Sequence, residues 1–348
     1  MPEFLTLPLI SALAAIPLAA LLGALLIRIG PRDAPDGDRK DQAKAMPTSG
    51  GIAVFFTVVP LTVLVLLLNP EWRNIPVFVL LAGALYMFVM GVWDDLVALP
   101  ALPKLVAQLI LALAVAWLGV RVGYFDLGRH SWETGFVIGM IGSAAWLIVT
   151  TNAVNFMDGS DGLAMGSSAV IATALAFLSA VTGEYDILAC SLILLGGLFG
   201  LLFWNGRGKL FAGDAGALFV GFYLAGLVLI WVDRTHSSVW IAPSLFIAFL
   251  ADVLLTLIWR FQRKRNLMQP HREHVYQIML KARVSQPLTA WIYVWVSVHG
   301  ALIAGLSLVF PVGGALVGFS LLLAILYVIN RKIRASALEN GYLEQDNQ

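Results

Sequence analysis

The sequence predicts an all-helical, polytopic integral membrane protein, a bundle of about eleven spans. Three observations carry this. Of 348 residues, 59% are hydrophobic and only 12% are charged, about half the charged fraction usual in soluble domains. Mean hydropathy is +0.85. The apolar residues fall in runs long enough to cross a bilayer. A soluble domain of this size has no core large enough to bury so much apolar surface, and the same composition excludes a disordered chain. A net charge of +1 gives no basic field for nucleic acid. The single cysteine, Cys190, allows no intrachain disulfide or thiolate cluster and reads as a small buried hydrophobe.

The chain opens Met-Pro-Glu and is uncharged from Phe4 to Ile27. A signal peptide would start with a basic segment, so this stretch reads as a retained first span. Further spans are predicted near 51–68, 77–93, 104–122, 135–151, 163–182, 186–204, 216–232, 239–259, 288–310 and 313–330, the first being 4–27. Gly139 and Gly142 interrupt the fifth, and only the turn from Pro311 to Gly314 separates the last two. No soluble domain fits between spans. Residues 1–334 therefore read as one transmembrane domain and 335–348 as a short polar tail. Of the 22 Lys and Arg residues, only Arg73, Arg121, Arg129 and Arg234 fall in one set of alternate loops. The positive-inside rule then puts the N-terminus outside and the C-terminus in the cytoplasm. The cytoplasmic loops are 31–50, 94–103, 152–162, 205–215 and 260–287. The outer loops are short and carry no dense polar cluster.

The polar residues that solubility does not require lie in those cytoplasmic loops. Asp94 and Asp95 close the third span. Adjacent carboxylates at a helix C-terminus are disfavoured by each other and by the helix dipole. A solvated helix end is the plain reading; a hard-cation site or a base is the chemical one. Asn152, Asn155, Asp158 and Asp161 are spaced by three, which on a helix stacks side chains along one face, with Gly159 and Gly162 as breakers. An ordinary Asx turn does not need two Asn and two Asp between apolar helices. Asp214, in Phe-Ala-Gly-Asp-Ala-Gly, is either the N-cap of the eighth span or a metal or phosphate ligand. The basic run Arg263-Lys264-Arg265 reads as anchoring at anionic lipid. His271, Arg272 and His274 suit the gripping of a phosphate better than a zinc site, because no Cys or third His is near. Met46-Pro47-Thr48-Ser49-Gly50-Gly51, after Lys44, reads as a turn at a membrane entry. Asp252 lies within the cytoplasmic half of the ninth span, where a carboxylate normally faces the bundle. Carboxylates, amides and cations on one side of one membrane are the equipment for chemistry on anionic phosphates.

These residues resemble the polyprenyl-phosphate N-acetylhexosamine-1-phosphate transferase superfamily, glycosyltransferase family 4, from Lys44 to about Gln277. Asp94-Asp95 looks like its aspartate pair. Asn152 to Ala164 looks like its Asn-x-x-Asn-x-x-Asp-Gly-x-Asp-Gly-Leu block, and Pro47 to Gly51 matches its Pro-Thr-x-Gly-Gly stretch. Phe211 to Ala217 looks like the block with its metal-binding aspartate. The resemblance implies Mg²⁺, with Mn²⁺ as the alternative, on Asp214 and Asp158. It implies Asp94, Asp95, Asp158 and Asp161 as catalytic, and Lys44, Lys104, Asn152, Asn155, His271, Arg272 and His274 as substrate-binding. Residues 96–103 are uncharged, so Lys104 is the charged residue available after the aspartate pair. The form His271-Arg-Glu-His274, in place of His-x-His-His, resembles the branch that starts O-antigen and other surface glycans. The implied partners are a UDP-N-acetylhexosamine, undecaprenyl phosphate and the lipid bilayer, with a homodimer left open. The implied place is the bacterial inner membrane, with the site on the cytoplasmic face. A transporter or flippase of a lipid-linked or anionic solute is the alternative. It predicts midplane charges and inverted repeats, for which only Asp252 is a candidate.

Overall fold

The computed structural model describes residues 3–30, 32–33, 46–127, 130–267, 269, 271–310 and 313–343. The order is α1 (Glu3–Ile29), β1 (Arg32–Asp33), β2 (Met46–Pro47), α2 (Gly50–Leu68), α3 (Ile75–Val97), α4 (Ala101–Trp117), β3 (Tyr124–Leu127), β4 (His130–Glu133), α5 (Gly135–Phe156), α6 (Leu163–Thr182), α7 (Tyr185–Asn205), α8 (Gly213–Thr235), α9 (Ile241–Leu245), α10 (Ile247–Gln262), α11 (Val275–Lys281), α12 (Gln286–Leu306) and α13 (Gly314–Glu339). β1 pairs antiparallel with β2, and β3 with β4.

Among the described residues nine helices are long and apolar enough to cross a membrane. The two other expected spans differ from expectation. α4 has 17 residues, the short end of the spanning range. The run expected at 239–259 is broken at Phe246 into α9 and α10. Pro243 offers no N–H to the first turn, and the Ser244 carbonyl points at α12, where a Cβ on Gly300 would come within 2.0 Å of its oxygen. α12 thus crosses close to the chain beside the break.

α8 is the axis of the bundle. Its apolar window is fully buried, and it packs against α2, α3, α5, α6, α7 and α9. A helix apolar all round belongs in such a place. α1 and α13 lie at the periphery, with 22% and 11% of their windows buried, and present leucine and isoleucine outward, as lipid contact requires. The sequence opens α3 with Asn-Ile-Pro: Asn74 Oδ1 accepts the Val77 N–H at 3.0 Å, and Pro76 sits where no donor is needed.

Alternating helix ends gather the loops at two opposite ends. One end holds residues 46–49, 94–100, 157–162, 206–212, 263–267, 269 and 271–285. The other is richer than expected. There Arg234 donates to Asp186 at 2.8 Å and to Glu184 at 3.1 Å, and Asn74 donates to Asp186. Tyr124 of the β3–β4 hairpin donates to the Val232 and Ser237 carbonyls, and Asp126 accepts from Ser238 and Val239. These partners are more than 100 residues apart in most pairs, so no local run announces the cluster.

At the first end α2 and α8 touch backbone to backbone. A Cβ on Gly51 would lie 2.1 Å from the Gly216 nitrogen, and Gly51 N–H donates to the Ala212 carbonyl at 2.8 Å. Gly51→Val is expected to lower stability by about 3 kcal/mol through backbone displacement, read as the loss in thermal unfolding of the detergent-solubilised protein.

Candidate active site

α8 starts without a capping side chain of its own. Its first amides would be orphaned, and a residue of α3 satisfies them. Asp95 Oδ1 accepts the Asp214 N–H at 2.9 Å and Asp95 Oδ2 accepts the Ala215 N–H at 3.1 Å. The dipole of α8 favours the charge on Asp95. The aspartate pair at the end of α3 is thus split in role. Asp95 is bound along the α8 terminus. Asp94 Oδ1 accepts the Leu99 N–H at 2.7 Å, and its other oxygen accepts from the Lys104 ammonium. This resolves the crowding that two carboxylates at one helix end create.

Lys104 reaches on to Asp214 Oδ2 at 3.2 Å, and Asn155 Nδ2 donates to Asp214 Oδ1 at 2.7 Å. The Asp94 side chain is 9% exposed and that of Asp214 35%, so Asp214 is the carboxylate a ligand can reach. It is not the cap of its helix but sits in the first turn. Gly213 makes this possible. It adopts φ +70°, and a Cβ there would meet the Thr48 carbonyl at 2.2 Å. The Pro-Thr-x-Gly-Gly turn is more than a membrane entry: Phe211 N–H donates to the Pro47 carbonyl at 3.0 Å and Gly50 N–H to the Phe211 carbonyl at 2.8 Å. It straps the start of α8 in place.

A cleft of about 240 Å³ opens here, lined by Thr48, Asp95, Asn155, Phe156, Asp158, Gly159, Phe211, Gly213, Asp214, Arg272, Tyr276, Gln277, Leu280, Lys281 and Gln286. α11 forms the wall facing α8. Tyr276 donates to the Phe156 carbonyl at 3.1 Å; a Cβ on Gly159 would lie 2.3 Å from its hydroxyl oxygen, so the Asn/Asp block and the histidine block dock there. Burial, with Asp252 close by, pushes the Tyr276 hydroxyl well above its usual range, so it acts as a neutral donor.

Of the sequence-predicted residues, the structure brings Asp95, Asn155, Asp158, Asp214 and Arg272 to the cleft, with Asp94 and Lys104 directly behind. Lys44 lies outside the described residues. Asn152, Asp161, His271 and His274 do not line the cleft. Asn152 donates to Gln108 at 2.6 Å and to the Ile148 carbonyl. The three-residue spacing does not run along one helix face, because α5 ends at Phe156 and Asp158 and Asp161 lie in the turn beyond it. Asp161 packs under Gly208, where a Cβ would sit 2.6 Å from its Oδ2, while its amide donates to Gln286 at 3.0 Å. His274 turns away to Asp252, with 3.2 Å between Nδ1 and Oδ1. His271 stacks on it at 5.1 Å, and burial lowers its pKa below the usual imidazole value; neither ring lines the cleft. The basic run also differs from expectation. Arg265 and Arg260 both pair with Glu273, and Arg263 and Arg265 lie over Trp259 at 4.7 and 5.0 Å. It pins the loop to α10 from within. Gln108, Lys281 and Gln286 were not anticipated; a lone Gln in the apolar α4 was the available signal for the first.

Among the described residues no three His, Cys, Asp or Glu side chains form a ready-made metal set. Mg²⁺ needs only one or two carboxylates when phosphate oxygens and water complete its shell. An accessible Asp214 with Asp158 on the same cleft fits that requirement. The fold and the cleft define a polytopic membrane protein with a polar cleft, lined by both carboxylates and cations, at one end of its bundle.

Residues 77–232 match the family described as glycosyl transferase family 4. The probable undecaprenyl-phosphate N-acetylglucosaminyl 1-phosphate transferase of Bacillus subtilis (strain 168) is 29% identical over 286 residues, 81% of this chain and 78% of that one. The phospho-N-acetylmuramoyl-pentapeptide-transferase of Heliobacterium modesticaldum is 31% identical over 272 residues, 72% of this chain and 81% of that one. The protein of that name from Streptomyces griseus is 26% identical over 303 residues, 74% and 84% of the two chains. The chain belongs to this superfamily of polyprenyl-phosphate N-acetylhexosamine-1-phosphate transferases.

Two outcomes follow for the site. Asp95→Ala removes the cap of α8 and is expected to cost about 1–2 kcal/mol in thermal unfolding, whereas Asp214→Asn, which leaves that cap in place, costs less. Burial pushes the Asp161 carboxyl from 3.8 up to about 6. A raised carboxyl pKa means that the folded state holds the proton more tightly, so this group's contribution to stability falls as pH rises from about 4 to about 6. Stability measured across that window is expected to drop less in Asp161→Asn than in the wild type.

Proposed function

We propose that the protein transfers a HexNAc-1-phosphate from a UDP-sugar to undecaprenyl phosphate, releasing UMP. The observation that carries this reading is the reachable Asp214 carboxylate, held by Lys104 and Asn155, on a cleft also lined by Arg272 and Lys281. A phosphate oxygen of the lipid attacks the sugar-bearing phosphorus, and the P–O bond to UMP breaks, with UMP leaving as the anion. The relatives' names support the acceptor: the B. subtilis protein is named for undecaprenyl phosphate and N-acetylglucosaminyl 1-phosphate.

In this reading Asp214 and Asp158 would hold Mg²⁺, which when bound would supply positive charge against the phosphates. Asp95 keeps the α8 terminus, and with it Asp214, in register. Asp94 and Lys104 balance the charge behind the site. Arg272 and Lys281 supply cations for the donor pyrophosphate. The cleft faces the cytoplasm and the N-terminus lies outside, in keeping with the eighteen of 22 basic residues that the sequence puts in one set of alternate loops and the positive-inside rule. The lipid phosphate arrives from the bacterial inner membrane and the nucleotide from the cytoplasm. The product starts a surface glycan, O-antigen among them. GlcNAc is the first sugar to test; N-acetylfucosamine and N-acetylquinovosamine follow.

UMP release from a panel of UDP-HexNAc donors, with purified protein and undecaprenyl phosphate, tests this. Release is expected with at least one donor, to require the lipid, to stop on chelation, and to fall about 100-fold or more in Asp214→Asn. A folded wild type inactive with every donor contradicts it and favours a transporter.

A further inference from the structure

The mechanism above leaves Asp252 without a task, yet its surroundings are unusually specific. It is 4% exposed, in α10, within an apolar bundle. Its Oδ1 accepts the Val275 N–H at 3.0 Å, faces His274 Nδ1 at 3.2 Å and accepts the Thr256 hydroxyl at 3.1 Å. Its Oδ2 accepts the Tyr276 N–H at 3.2 Å and the Tyr293 hydroxyl. α10, α11 and α12 thus all donate to one carboxylate. Thr256 in turn accepts from Arg334 of α13 at 2.7 Å, which braces the cluster from a fourth helix.

α11 has only seven residues, too few to hold itself. Asp252 receives its first two amides, and Tyr276 ties its other face to the Phe156 carbonyl at 3.1 Å. Between these two anchors stand the cleft residues Arg272, Tyr276 and Gln277. Burying a carboxylate among apolar helices is costly, and apolar packing of the same volume would stabilise as well or better. What the carboxylate adds is a fixed direction for the segment.

We propose that Asp252 is a positioning residue whose carboxylate fixes residues 272–277 so that Arg272, Tyr276 and Gln277 form the wall against which the donor pyrophosphate binds. This rests on the donor reading of the cleft, and its ligand is therefore a uridine diphosphate group. Asp252 touches no ligand itself. It acts through the backbone of α11.

The test uses the full chain in detergent, comparing wild type, Asp252→Asn and the milder Tyr293→Phe, which removes one donor and leaves the α11 amides untouched. Hydrogen exchange of the 271–281 region is read by mass spectrometry, and UDP binding in the presence of Mg²⁺ by calorimetry. Asp252→Asn is expected to speed exchange in 271–281 about tenfold, to leave α8 protected, and to weaken UDP about tenfold, a difference of about 1.4 kcal/mol. Tyr293→Phe moves both in the same direction by less. Faster exchange with unchanged UDP affinity makes Asp252 merely structural and overturns the proposal, as does unchanged exchange. A wild type that binds no UDP overturns the donor reading itself. That is distinct from failure of the proposal alone, in which wild type and variant bind UDP equally. If Asp252→Asn does not fold, Tyr293→Phe carries the same comparison.

Discussion

The structure depends on how the N-terminus of α8 is held. α8 is buried along its apolar window, and its own sequence supplies no cap for its first amides. The carboxylate of Asp95, on α3, takes up the amides of Asp214 and Ala215. The Gly51–Gly216 contact lets α2 close against the same turn. Three spans thereby meet at one point, and the side chain that emerges from that turn is Asp214. The chemistry is placed by a backbone requirement.

Charge is managed by distribution around that point. Asp94 and Asp214 share Lys104, Asp95 shares the α8 dipole, and Asp252, on the far side of the cleft, shares α11. Asp94, Asp95 and Asp252 thus each have a specific partner, as burial demands. The exception in accessibility is Asp214, whose 35% exposure leaves room for a ligand to compete with Lys104.

Much of this was legible in the sequence. Hydropathy alone located every long helix, because a bilayer leaves few ways to satisfy a backbone. Asp94, Asp95, Asn155, Asp158 and Asp214 were recognisable because polar residues interrupting apolar runs need a reason. What was not legible depends on packing across the bundle. The break at Phe246 lies where Gly300 on α12 comes close to the Ser244 carbonyl. The different directions of Asn152 and Asp161 follow from α5 ending at Phe156. The partner of His274, Asp252, lies 22 residues away on another helix. The polar cluster of Asn74, Asp186 and Arg234 at the opposite end joins loops that have no sequence relation.

The central claim is that the cleft between the α8 terminus and α11 is where metal and pyrophosphate meet, with Asp214 as the contact. An experimental structure with Mn²⁺ and UDP, using the anomalous signal of manganese, tests it most directly. The account predicts one anomalous peak beside the Asp214 carboxylate, with the diphosphate between it and Arg272. A manganese peak at another part of the protein, or UDP bound outside this cleft, would contradict it.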